Sequence, residues 1–167
     1  GVNRFLKSQK AEAGQARFSL VLFDNESLLV HDGVDLAAVP ELNEQTFVPR
    51  GSTALYDAIG RTVDSVGKRL SQTPESDRPG SVTVVILTDG YENASTDYSS
   101  SEISEMIRHQ QEVYSWEFIF LAANQDAIAT AGQFSIPAQN ACSYDMADFA
   151  QAAFLRASCM VSERRRR

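Results

Sequence analysis

The chain has 167 residues, 43% of them hydrophobic and 22% charged, with a net charge of −7. A length of this order suffices for one domain that buries about 70% of its unfolded surface. No apolar run of about 18 residues offers a membrane span, and the start shows no signal-peptide pattern. Arg164–Arg167 contribute +4, so the remainder carries −11, a balance that repels phosphate backbones and argues against nucleic acid as the main partner. That acidic body tolerates or attracts cations. The run 164–167 reads as a solvated basic tail outside a single domain over 1–163. Cys142 and Cys159 have no CxxC spacing and no histidine close in sequence, which excludes a zinc pattern and leaves two free thiols in a reducing, cytoplasmic compartment.

In chain order, Val2, Phe5, Leu6 and Gln9 fall at helical spacing, and Gly14 can end that helix near Ala13. A chain that opens inside an element is expected to lack something upstream. Arg17–Phe23 is a nearly continuous apolar strand. The turn Asp24-Asn25-Glu26 leads at once into a second strand, Ser27–His31, and a turn so short joins only antiparallel neighbours. Ser27–His31 is therefore an edge strand, with His31 facing solvent. A short helix is expected near Leu36–Val39.

Pro49-Arg50-Gly51-Ser52-Thr53 is a turn cluster opening a helix whose core stripe is Leu55, Ile59, Thr62, Val63, Val66 and Leu70. Ser71–Gly80 is a polar surface connection. Val82–Leu87 has no alternation, as in a strand buried on both faces, and runs into Thr88-Asp89-Gly90. Ser99 and Glu102 form a capping box for a helix reaching about Val113, with Ile103, Met106, Ile107 and Val113 inward.

Trp116–Ala123 is a further buried strand. Gln125–Phe134 reads as a helix with Ala127, Ile128, Ala131 and Phe134 on one face, and Ala141–Tyr144 as a short strand. Asp145 can cap a last helix, Met146–Ser162, whose stripe is Phe149, Ala153, Phe154, Ala157, Met160 and Val161. Strands alternating with helices, one hairpin excepted, define a doubly wound α/β domain: a mostly parallel sheet with one antiparallel edge strand and helices on both faces.

Two loops carry candidate chemistry. Gly51–Ala58 places a hydroxyl at a helix start, and Thr88-Asp89-Gly90 places a carboxylate at the carboxyl end of a buried strand, where open α/β sheets bind their ligands. A hydroxyl with a carboxylate is a hard-oxygen set, suited to Mg²⁺ or Mn²⁺. Tyr56, Tyr91 and Tyr98 ring that end and suit a protein interface.

GSTALYDA and VVILTDG, separated by one helix, resemble the von Willebrand factor type A (vWA) domain, and WEFIFLAANQDA with the final helix is similar to its bacterial intracellular branch. The resemblance implies a Rossmann-like sheet of five parallel strands and one antiparallel edge. It also implies a metal-ion-dependent adhesion site in which Thr53 binds the cation through its hydroxyl and Asp89 acts directly or through water. The open metal position would accept a carboxylate from a partner protein. The family's site begins with Asp-x-Ser-x-Ser on a central first strand, and no such motif occurs here. The site and sheet are therefore expected to be incomplete, with Mg²⁺ or Mn²⁺ held weakly or not at all.

The expected function is a protein-binding module without catalysis. The alternatives are a Mg²⁺-dependent, phosphatase-like hydrolase, which leaves GSTALYDA unexplained, and a scaffolding domain without metal. No P-loop, dinucleotide fingerprint or GxSxG elbow is present, and histidine occurs only at 31 and 109.

Overall fold

The strand 117–123 runs through the centre of the packing. In the computed structural model, which describes residues 1–43, 51–123, 126–145 and 149–167, Phe118, Ile119, Phe120, Leu121 and Ala122 are all fully buried. Successive side chains of a strand point to opposite faces, so a continuous apolar run needs cover on both. Among the described residues, five helices supply that cover, while a strand pairs along each edge.

The elements are α1 (Val2–Ala11), β1 (Arg17–Phe23), β2 (Ser27–Asp35), α2 (Leu55–Gln72), β3 (Thr83–Thr88), α3 (Ser100–Tyr114), β4 (Glu117–Ala123), α4 (Ala127–Gln133), β5 (Ala141–Tyr144) and α5 (Phe149–Arg165). β3, β4 and β5 form a parallel sheet in that order, with Val84 opposite Phe118 and Ala122 opposite Ser143. On one face Phe118, Phe120 and Ala122 pack with Leu55, Ile59 and Val63 of α2, Ile103 and Ile107 of α3, and Ala127 and Ala131 of α4. On the other, Ile119 and Leu121 meet Ala153, Ala157 and Met160 of α5, with Phe5 of α1 alongside. Each large apolar side chain buried in this way contributes about 1.5–3 kcal/mol.

The architecture is thus α/β with helices on both faces of the parallel sheet. The strands do not form one continuous sheet. β1 and β2 make a separate antiparallel hairpin, and among the described residues β1 pairs only with β2, and β3 only with β4. The hairpin register slips between Phe18 and Val21. Gly33 lies there at φ +62, and a Cβ on it would come within 2.9 Å of the Arg69 guanidinium carbon. Arg69 reaches from α2 across the hairpin to Asp32 and Ser19.

Several expectations need correction. β2 runs on to Asp35, and His31 is half-buried, its ring 6.3 Å from that of Phe18 on the neighbouring strand. Val113 and Ile128, expected inward, are 57% and 55% exposed. Val113 lies in the last turn of α3, beyond the reach of the sheet. α4 starts at Ala127 and has only two turns, so the buried contacts fall to Ala127, Ala131 and the following Phe134. The expected helix starts at Gln125 and Met146, and Pro49-Arg50 of the turn cluster, lie outside the described residues.

Only the end of the arginine run, Arg166 and Arg167, is exposed. Arg164 and Arg165 belong to α5. Arg164 bonds Glu117 and donates to Asn140 Oδ1 (2.9 Å) and the Met160 carbonyl (2.9 Å). Arg165 donates to the Gln9 carbonyl (2.5 Å), and Arg166 pairs with Glu12. Buried Gln9 closes the same seam from α1, donating to Ser162 Oγ at 2.9 Å and the Ser158 carbonyl at 3.1 Å. Charge that local pattern reads as solvated is used to fasten α5 to α1 and β4.

Candidate functional site

Three chain segments meet at the carboxyl end of β3. The first is the hairpin turn: Ala54 N–H donates to the Asp24 carbonyl at 2.6 Å, and Asp24 Oδ1 accepts Glu26 N–H at 2.8 Å. The second is the approach to α2, residues 51–54. The third is the strap 89–98 between β3 and α3. Thr88 starts it, its hydroxyl donating to the Gly90 carbonyl at 2.9 Å.

Thr53 and the Asp89-Gly90 turn come together. A Cβ on Gly90 would lie 3.0 Å from Thr53 Oγ1, so glycine is what allows the hydroxyl to approach. With about 3.8 Å between consecutive Cα atoms, Thr53 Oγ1 lies within roughly 9 Å of the Asp89 Cα. Asp89 is exposed and Thr53 half-buried. The two residues picked out from sequence therefore share one rim.

The rest of the rim is held by residues whose part sequence reasoning did not assign. α2 begins without a side-chain cap, the preceding residue being Ala54. Its first N–H groups must find acceptors elsewhere. Glu92 Oε2 accepts Tyr56 N–H at 3.0 Å, and Ser95 Oγ accepts Asp57 N–H at 3.1 Å. In return Asp57, buried, accepts the N–H groups of Thr96, Asp97 and Tyr98, each at 3.0 Å. Glu92 also accepts Ala94 N–H (2.9 Å), Ser95 N–H (2.7 Å) and Ser95 Oγ–H (2.8 Å). Thr53 and Asn93 bond each other through backbone and side chain.

Asp57 stands in the first turn of α2, and its carboxylate serves the strap. The uncapped Ala54 was the available signal, since a helix start with no local acceptor must borrow one.

The electrostatics follow. Burial works against the Asp57 charge, yet the three N–H donors and Arg61, 3.8 Å away, outweigh it, and the carboxyl stays below its ordinary range. Glu92 behaves alike: burial raises it, and donors from Ser95, Tyr56 and Ala94 lower it further. Tyr98 donates to Asp64 at 2.6 Å, and that bond, with burial, pushes its hydroxyl up to about 12.

The Tyr98 ring lies on Gly60, where a Cβ would come within 2.6 Å of it. Tyr56 packs edge-on against Phe134, the ring centres 5.7 Å apart. Of the three tyrosines, only Tyr91, 63% exposed, presents its ring at the rim.

The donors at the rim are hard oxygens, one hydroxyl and one carboxylate. Among the described residues no three His, Cys, Asp or Glu side chains are grouped to hold a metal ion. Asp57 and Glu92 are already committed to N–H groups. Mg²⁺ demands near-octahedral oxygen coordination, so two protein donors leave most positions to water or to a partner.

No family model, curated protein or solved structure matches the chain. Among the described residues no helix is long and apolar enough to cross a membrane.

Proposed function

We propose that the chain is a protein-binding module whose contact surface is the rim formed by Thr53, Asp89 and Tyr91, as its likeness to vWA domains suggests, and that it is not an enzyme. The observation that carries this reading is the approach of the Thr53 hydroxyl to the Asp89-Gly90 turn, 3.0 Å from the Cβ position of Gly90. A hydroxyl and an exposed carboxylate on one rim give a weak foothold for Mg²⁺ or Mn²⁺. A carboxylate presented by the partner would supply a further hard oxygen and raise the cation's affinity. Tyr91 adds a ring that buries contact area at low entropic cost.

The test is Mn²⁺ binding, followed by electron paramagnetic resonance, with and without an acidic peptide. Mutual enhancement of peptide and Mn²⁺, lost in Thr53→Ala and in Asp89→Ala, supports the proposal. Peptide binding indifferent to chelator favours a metal-free scaffold, and Mg²⁺-dependent phosphatase turnover would replace the reading altogether.

A further inference from the structure

Residues 91–98 belong to no helix or strand. Their backbone N–H groups still need acceptors. Five in succession, from Ala94 to Tyr98, end on only two carboxylates: Glu92 takes Ala94 and Ser95, and Asp57 takes Thr96, Asp97 and Tyr98. One carboxylate belongs to the strap and also grips α2 at Tyr56 N–H; the other belongs to α2 and grips the strap. The clasp is reciprocal, and the fixed path of the strap depends on it.

The residues just before this run, Asp89 to Asn93, lie between two anchors. β3 holds them on one side and the clasp on the other. A carboxylate already accepting three N–H donors has little capacity left for a cation, which separates Asp57 and Glu92 from the rim donors.

We propose that Asp57 and Glu92 are the positioning residues of the rim: they fix the strap on α2 and so set how tightly Thr53, Asp89 and Tyr91 bind. This rests on the reading of the rim as a binding surface. Neither carboxylate touches what is bound. Their effect is on the distance between the Thr53 side and the Asp89 side, which a free strap would let vary.

The experiment uses the full chain with Asp57→Asn and Glu92→Gln, and Glu102→Gln as control. Glu102 makes the same kind of bond in the capping box of α3, to Ser99 N–H, the residue that follows the clasp. Amide hydrogen exchange and Mn²⁺ affinity are measured on each. Loss of a hydrogen bond to a charged group is expected to speed exchange at 94–98 by about tenfold or more, with β4 and α5 unchanged. Mn²⁺ affinity should fall by about as much in both clasp variants, and Glu102→Gln should leave both readouts alone. Asp57→Glu, which keeps the charge, should recover part of the loss.

Unchanged exchange at 94–98 would overturn the proposal, as would exchange rising equally in β4. Wild-type protein that binds no Mn²⁺ would defeat the cation reading instead, and the exchange pattern alone would then decide the positioning role.

Discussion

Thr53 and Asn93 bond each other twice: Thr53 N–H donates to Asn93 Oδ1 at 2.8 Å, and Asn93 N–H donates to the Thr53 carbonyl at 3.0 Å. The pair joins the approach to α2 to the strap beside the Asp89 turn. Asn93→Ala removes one of the two bonds and is expected to cost about 0.5–1.5 kcal/mol. Urea denaturation measures it. Asn93→Asp keeps the acceptor and should cost less; equal losses in both variants would count against this role.

Gly90 and Thr53 form a steric couple. Gly90→Ala puts a methyl 3.0 Å from Thr53 Oγ1, a contact tight enough to cost about 1–3 kcal/mol if the neighbour does not yield. Thr53→Ala removes the obstructing hydroxyl. A double-mutant cycle should therefore show the two changes to be less harmful together than their sum, and strict additivity would place the residues apart.

Acid should loosen the clasp. Asp57 and Glu92 both lie below their ordinary values when folded, burial opposing the charge and N–H donors prevailing. The stability they contribute is complete above the unfolded value, about 4. It is lost as pH falls through the folded values. The urea midpoint should hold from pH 7 to about 5 and then decline, with a shallower decline in Asp57→Asn. A midpoint that rises on acidification would have the wrong sign.

Arg164 should matter where Arg167 does not. Arg164→Ala strips partners from Glu117, Asn140 and the Met160 carbonyl, in a side chain only 10% exposed. The expected cost is about 1–3 kcal/mol. Arg167 is exposed, and its substitution should stay within about 0.5 kcal/mol. Thermal melts of the two variants compare them directly, and equal melting temperatures would refute the fastening.

The parts of the fold legible in the sequence are those set by periodicity. EFIFLAA announces a strand buried on both faces, and Leu55, Ile59 and Val63 recur along one side of a helix. Ser99 and Glu102 mark a helix start by a local bond. What pattern cannot see is the partner brought from far along the chain. Arg164 reads as tail until Glu117 is beside it, 47 positions away in sequence. Ile128 carries the right spacing, but α4 is too short to bury it. Thr53 and Asp89 could be named from their loops, and the structure brings Thr53 to the turn at Gly90, whereas the bonds of Asp57 and Glu92 exist only where the strap folds onto α2.

Apart from the Ser95 hydroxyl, the clasp grips main chain. Asp57 receives only amide hydrogens from 96, 97 and 98, which every residue except proline can supply. The exposed position Thr96 is consequently open to rewriting, proline aside, while the path of the backbone persists; Asp97 also pairs with Arg61. For an engineer, the segment is a ready display platform whose mounting hardware lies in the helix beneath.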